Sequence, residues 1–326
     1  MKVLITGATG FIGSHLTERL RRGGNEVLCV AKDRMNIVFL ESLNANVVLA
    51  DLNNGVDWER MLDGVDYIYH LAGLTRAQWS SEYYRENHLA TKRFVEVCAN
   101  RCSSLKRFVY VSSQTAAGPS LDGYPVTEKS PYHPVSHYGK SKMLAELEVL
   151  KQQDRLPVTI VRPTAVYGPR ERDWYEYFKS IRRGIQPVIG FRPKLMSLIH
   201  ATDLVDGIIL AGEHPSAIGE TYFLGNQEFY TTRAIGDAIA NAMCCNPFIV
   251  RLPHGVVYAV GAIAEAAAKI SGKQIFFNLQ KVREAVQTAW VCSVEKATHD
   301  IGFQPRIPIN EGMLSTYKWY LENGWL

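Results

Sequence analysis

Apolar positions in the first half of the chain fall into short continuous runs, separated by longer stretches that repeat near every 3.6 residues. Residues 3–6, 26–30, 47–50, 67–70, 108–112 and 158–162 read as strands, and residues 11–23, 81–101 and 138–152 as helices. Runs that are apolar throughout belong to strands covered on both faces, so the alternation predicts an α/β fold with a doubly wound parallel sheet. After Gly168 the pattern loosens into aromatic and basic segments, then short helices at residues 201–213, 231–243 and 278–286. The expected division is a first domain over 1–168 and a smaller one over 169–326, part of which returns to the sheet. Residues 256–270 form one more apolar stretch, interrupted by Glu265 and Lys269 and too short to span a bilayer. Val256, Val260, Ile263, Ala267 and Ile270 recur in it at helical spacing and are expected to pack inside the protein, with peripheral membrane contact as the alternative.

Composition narrows the partners. Lys and Arg number 36 against 32 Asp and Glu, a net charge of +4 with no long basic run, which argues against nucleic acid or an anionic membrane. A small-molecule substrate is expected instead. The six cysteines include no CxxC pair, and Cys98 and Cys102, although on one helix face, have no further ligand nearby, so no metal is expected. Met1 and Lys2 run directly into a strand and a glycine loop, with no secretory pattern between them, which places the expected location in the cytoplasm.

Candidate chemistry begins at Gly7, Gly10 and Gly13, between the first strand and the first helix, in the run from Thr6 through Thr9, Phe11 and Ile12. Glycines there keep the turn tight and let the backbone approach a dinucleotide pyrophosphate at the helix N-terminus. The second strand ends Val30-Ala31-Lys32-Asp33-Arg34. Ala31 stands where an acid would hold the ribose of NAD, and Lys32 offers charge to a 2′-phosphate, so NADP(H) is preferred with NAD(H) possible. Asp51 and Leu52 are placed to contact adenine, and Ala72 and Gly73 let the chain lie along the cofactor, whereas His70 reads as a packed strand residue. Tyr138 and Lys142 lie four apart on one helix face. A phenol titrates near 10, so a neighbouring ammonium is needed to make its proton mobile near neutrality. Ser112 and Ser113 end the fifth strand close by in this arrangement.

Together these residues resemble the extended short-chain dehydrogenase/reductase family, also described as the NAD-dependent epimerase/dehydratase family. The resemblance is specific from Met1 to about Gly168 and looser beyond. It implies a Rossmann sheet, with Gly7, Gly10 and Gly13 as the TGxxGxxG loop, Asp51 and Leu52 as the adenine contact, and Ala72 and Gly73 as a second cofactor loop. It implies that Asn87 supports the cofactor and that Pro163 lies beside the nicotinamide. It makes Ser113, Tyr138 and Lys142 the catalytic set, with Thr75, Gln114 and Tyr167 as substrate contacts, and it suggests a homodimer through the helices at 81–101 and 138–152.

Two departures bear on the substrate. Ala165 and Met196 stand where nucleotide-sugar enzymes of the family carry an Asn and an Arg for the diphosphate, although Lys194 or Arg192 offers a substitute. The stretches 156–163 and 197–200 look more like the 3β-hydroxysteroid dehydrogenase and dihydroflavonol reductase branches. Trp174, Tyr175, Tyr177, Phe178, Phe191, Tyr222, Phe223, Phe276 and Phe277 are candidates to line an apolar pocket. The expected reaction interconverts a secondary alcohol and a ketone or aldehyde on a bulky apolar substrate: Tyr138 moves the proton, Lys142 tunes it and holds ribose, and Ser113 polarises the carbonyl. The alternatives are a nucleotide-sugar epimerase or dehydratase using the same centre, and a cofactor-sensing protein without catalysis.

Overall fold

The structure is a computed structural model describing residues 1–34, 37–54, 56–271 and 278–326. Strands β1 (Lys2–Thr6), β2 (Glu26–Ala31), β3 (Asn46–Leu49), β4 (Tyr67–His70), β5 (Arg107–Val111) and β6 (Val158–Pro163) follow the predicted order with end shifts of one residue. The rest of the chain adds β7 (Ala165–Tyr167), β8 (Ile185–Ile189), β9 (Leu195–His200), β10 (Thr221–Leu224), β11 (Phe229–Thr231), β12 (Phe248–Leu252) and β13 (Ala289–Trp290). Seven of them form one parallel sheet in the order β10-β6-β5-β4-β1-β2-β3. The register that closes its edge sets Thr221 of β10 beside Ile160 of β6.

Alternation along β1 explains why the strands are apolar throughout. Val3 and Ile5 point to one face, against Leu16, Leu20 and Ile208, while Leu4 points to the other with Phe94, Val95 and Val149. Each large side chain buried this way contributes about 1.5–3 kcal/mol, and the sheet has two such layers to draw on. The second lobe has its own core of Tyr167, Phe178, Ile181, Leu198, Ile239 and Tyr320. There β9 pairs with β7, β11 and β13, and β8 forms a separate two-stranded ribbon with β12.

Three segments depart from the sequence pattern. Residues 81–101 are not one regular helix: Ser80–Tyr83 passes into a π-helical turn, Tyr84–Leu89, and then into Ala90–Arg101. The wider turn directs Asn87 inward, where it is fully buried. A long helix at Ile309–Glu322, not anticipated, buries Met313 and Tyr320 in the second core. Helix His254–Ser271 is present but inverted relative to expectation, since Val256, Val260 and Ile263 face solvent while Val257 and Gly261 face the protein. The cause is close packing: a Cβ on Gly261 would lie 2.5 Å from Val282 Cγ2, so only the small-residue side admits helix Leu279–Ala285. Ile270 and its neighbours at 268–271 have no described side chains, and Phe276 and Phe277 lie outside the described residues.

Candidate active site

The turn after β1 leaves no room for side chains. A Cβ on Gly13 would sit 2.2 Å from the Gly7 carbonyl oxygen, and one on Gly7, which has φ +72°, would sit 2.7 Å from the Ala72 nitrogen. Helix Phe11–Arg22 then starts at Gly10 with no side-chain cap and no acid in its first turn. Its first N–H groups, at Phe11, Ile12 and Gly13 beside Thr9, therefore face outward with the positive end of the helix dipole. This suits a pyrophosphate.

Buried polar contacts hold the neighbouring loops in place. His70 bridges Thr6 Oγ1 at 2.6 Å and Thr91 Oγ1 at 2.8 Å, and burial pushes its imidazole down to about 3, so it is a neutral strut between β1, β4 and the helix behind. Thr6 Oγ1 also accepts from Ala72 N at 3.2 Å. Asn87 accepts from Leu74 N at 2.6 Å and donates to Leu74 O at 3.0 Å and to Ser141 Oγ at 2.9 Å. All of these bonds are within the protein, so Asn87 fixes the loop carrying Ala72 and Gly73 relative to the Tyr138 helix. Thr75 is exposed on that same loop.

At the end of β2, Lys32 is not a free cation. Its ammonium lies 3.3 Å from Asp51 and 3.0 Å from Glu86. Asp51, held below its ordinary range first by the Asn53 backbone N–H and then by Lys32, thus pairs with a residue expected to act separately. Leu52 packs beside it against the core.

Ser113, Tyr138 and Lys142 converge where β5 meets helix His137–Leu150. Ser136 caps that helix by accepting from Gly139 N at 3.0 Å. A Cβ on Gly139 would lie 2.3 Å from the Thr115 carbonyl oxygen, so the glycine after Tyr138 lets the helix press against the Ser113 turn. Ser113 Oγ accepts from Thr115 Oγ1 at 2.8 Å and is among the groups that lower the Tyr138 phenol. Lys142, fully enclosed, donates to Val111 O at 2.7 Å over the ring of Tyr110, and desolvation lowers its ammonium to about 7. One turn on, Glu146 forms a buried ion pair with Arg162 of β6 at 2.7 Å, locking the helix to the sheet. Pro163, next to Arg162, is buried at the end of that strand.

The second lobe supplies a group that the sequence pattern did not reveal. Lys281 Nζ stands 5.8 Å from the centre of the Tyr138 ring and 3.2 Å from Glu284. Glu284 accepts from Ser136 Oγ at 2.6 Å, and Gln280 Oε1 accepts from His137 N at 3.0 Å, so helix Leu279–Ala285 is tied to the start of the tyrosine helix. Burial raises the Tyr138 phenol, whereas Lys281 and then Ser113 lower it, against Glu284 and Tyr83. Lys281 is thus a second cation acting on the Tyr138 phenol, while Lys142 is engaged by the Val111 carbonyl. No local motif marks Lys281; only its amphipathic helix, 143 positions after Tyr138, was legible.

Beside Lys281 opens a cavity of about 440 Å³ lined by Trp174, Tyr177 and Pro187, with Asp173, Glu176 and Ser180 on its polar side. Of the expected pocket aromatics, Trp174 and Tyr177 are therefore wall residues, while Phe178, Tyr222 and Phe223 are core and Phe191 is exposed. Tyr175 belongs to an aromatic cluster with Tyr320 and Trp325. Tyr167 is corrected as a substrate contact: it is fully buried, edge-on to His200, with Gly312 packed against its hydroxyl end. Gln114 remains a candidate, since its buried Nε2 has no partner in the structure. Ala165 and Met196 pack against the second core, and Lys194, buried, donates to Ala285 O at 2.6 Å. Among the described residues, no group of three His, Cys, Asp or Glu is placed to hold a metal, and no helix is long and apolar enough to cross a membrane.

Residues 3–225 match the NAD dependent epimerase/dehydratase family. A ceramide reductase of Caulobacter vibrioides is 29% identical over 333 residues, covering 99% of this chain and 96% of the relative. An uncharacterized UDP-glucose epimerase of Bacillus subtilis is 30% identical over 255 residues, covering 70% of this chain and 78% of the relative. The UDP-glucuronic acid 4-epimerase of Bacillus cereus, solved with UDP-glucuronic acid and NAD, matches with a TM-score of 0.82 at 21% identity. That match spans 99% of this chain and 100% of the other, and it is a likeness of fold.

Proposed function

The chain belongs to the NAD dependent epimerase/dehydratase family, and from that premise we propose that it interconverts a secondary alcohol and a ketone on a bulky, largely apolar substrate. The observation that carries this reading is the apolar character of the two diphosphate positions: Ala165 and Met196 face the second core, and the buried Lys194, two residues before Met196, donates to the Ala285 carbonyl. A buried diphosphate deprived of such donors forgoes charge-assisted hydrogen bonds of about 1.5–3 kcal/mol each. Likeness to a ceramide reductase along nearly the whole chain supports the same substrate class.

The uncapped helix start and the tight turn that Gly7 and Gly13 allow fit a nicotinamide dinucleotide, which when bound supplies or accepts the hydride. The remaining work falls to side chains. Tyr138 gives its phenolic proton to the substrate oxygen in reduction and recovers it in oxidation. Ser113 hydrogen-bonds the same oxygen, and Lys281 keeps the phenol from rising further. Lys142 is assigned to the ribose and Asp51, with Leu52, to the adenine. Cofactor choice turns on Lys32: NADP(H) is assigned as preferred, and its 2′-phosphate competes with Asp51 and Glu86 for that ammonium. The ratio of dissociation constants for NADP(H) and NAD(H) measures the competition.

Nucleotide-sugar epimerisation is the second reading, favoured by the placement of the Lys281 cation beside Tyr138, where it suits an anionic substituent. The two are separated by the fate of the cofactor. Net change in nicotinamide absorbance with long-chain or polycyclic ketones, abolished in Tyr138→Phe, is the expected result. Conversion of a UDP-sugar with no net absorbance change, and no response to any apolar ketone, overturns the proposal.

A further inference from the structure

Among the described residues, an apolar surface stands uncovered. On helix His254–Ser271 the side facing the protein is narrow, formed by Val257 and by Gly261 against Val282. On the opposite side Val256, Val260 and Ile263 are 47%, 51% and 70% exposed, and Ala259, Ala266 and Ala267 widen the stripe. No Asp, Glu, Lys or Arg occurs between Arg251 and Glu265. Glu265 itself is turned toward the neighbouring helix, where its carboxylate accepts from Leu279 N at 3.2 Å.

The ribbon leading into this helix continues the surface. β12 pairs with β8, and Phe248 and Phe191, at its two ends, are 76% and 68% exposed. Arginine predominates around them: Arg182, Arg183, Arg192 and Arg251 are exposed and no acid occurs from residue 182 to 194, although Asp237 accepts from Gln186 of β8 at 3.1 Å and pairs with Arg233. Arg251 donates to Phe191 O at 3.4 Å, which sets a guanidinium beside an exposed ring. Exposed apolar groups fringed mainly by arginine match an anionic lipid surface, where the stripe sinks to the acyl boundary and the guanidinium groups stay with the headgroups. A second copy of this chain meets the patch less well, because a two-fold contact would bring the same arginine-rich face against itself.

We propose that helix His254–Ser271 and the β8–β12 ribbon form a docking face for anionic membrane surfaces. The helix lies in the interface without crossing it. Pro187 of β8 also lines the cavity beside Lys281, so docking brings the cavity wall close to the lipid in which a long-chain substrate resides. The inference goes beyond the proposed reaction and rests on it only for this purpose, since binding is read without turnover.

The test is cosedimentation of the full chain with vesicles of phosphatidylcholine and phosphatidylglycerol in equal parts, and with phosphatidylcholine alone. Binding is expected to the mixed vesicles, weakening as salt is raised. Replacing Val260 and Ile263 together by Glu is expected to lower it by about tenfold or more, and Arg183→Gln or Arg251→Gln by about fivefold each. Because all four residues are exposed, melting temperature and turnover of a soluble ketone should be unchanged, so loss of binding is not loss of fold. Failure to bind the mixed vesicles, or binding unaffected by the paired Glu substitutions, overturns the proposal. So does a dimer in solution that those substitutions dissociate, which would assign the stripe to a second copy.

Discussion

The glycine turn, as the proposed nucleotide cradle, and the second lobe, as the proposed substrate lobe, are built on different principles. In the cradle, position is dictated by backbone meeting backbone: Gly7 against Ala72, Gly13 against the Gly7 carbonyl. Few residue types satisfy such contacts, so the requirement is written locally. In the substrate lobe the decisive contacts join side chains far apart in the chain, as when Lys281 and Glu284 reach Tyr138 and Ser136. Many sequences can make them. The cradle is consequently intolerant and readable, and the lobe adjustable and opaque.

A substitution in the cradle should have the largest effect. Gly13→Val forces a side chain into a gap that a single Cβ already closes to 2.2 Å, and overpacking of this kind costs about 1–3 kcal/mol. Calorimetric titration should show cofactor affinity reduced about tenfold or more, with a lower melting temperature. Native affinity in this variant would mean that the cradle is as forgiving as the lobe. The next effect in size is electrostatic. Removing the charge in Lys281→Met takes away the leading group that lowers the phenol, while burial and Glu284 still raise it. The limb of the kcat/KM profile that follows Tyr138 should move to higher pH, with kcat affected more than KM. An unmoved limb would show that the lobe contributes shape and no charge to the reaction.

The smallest effect concerns stability in the lobe alone. Burial raises Glu171 to about 7 against the backbone N–H of Trp174, so the folded chain holds a proton there that the unfolded chain releases above its ordinary value of 4.5. The resulting stabilisation is present below 4.5 and is lost as pH rises through about 7. Melting temperature should fall by a few degrees between about pH 5 and about pH 8, and Glu171→Gln should flatten that slope. Equal slopes in the two proteins would place the pH dependence elsewhere.

What could be read in advance follows the same division. The parallel sheet, the glycine loop and the convergence of Ser113, Tyr138 and Lys142 were legible because period, strand ends and helical spacing are local properties. Asn87 was legible as a position but not as a π-helical clamp, since its partners Leu74 and Ser141 lie 13 and 54 residues away. Lys32 read as an available cation because its neutralising partners, Asp51 and Glu86, come from two other segments. Tyr167 and the stripe of helix His254–Ser271 were misassigned for one reason: aromatic or periodic apolar residues mark a face without saying what stands opposite. Gly312 stands opposite the first, and for the second Gly261 turned the packed side around.

The seating of β10 at the end of the main sheet has a consequence for how the protein is made. β6 is buried at every position, yet its outer edge is paired only when Thr221–Leu224 arrives. While the intervening chain is synthesised, at about 5–20 residues per second, the sheet presents an open, apolar strand edge for several seconds. Nascent chains halted in that interval are the ones most exposed to aggregation and to capture by chaperones, so the vulnerable moment in the life of this enzyme comes after its cofactor cradle has been completed.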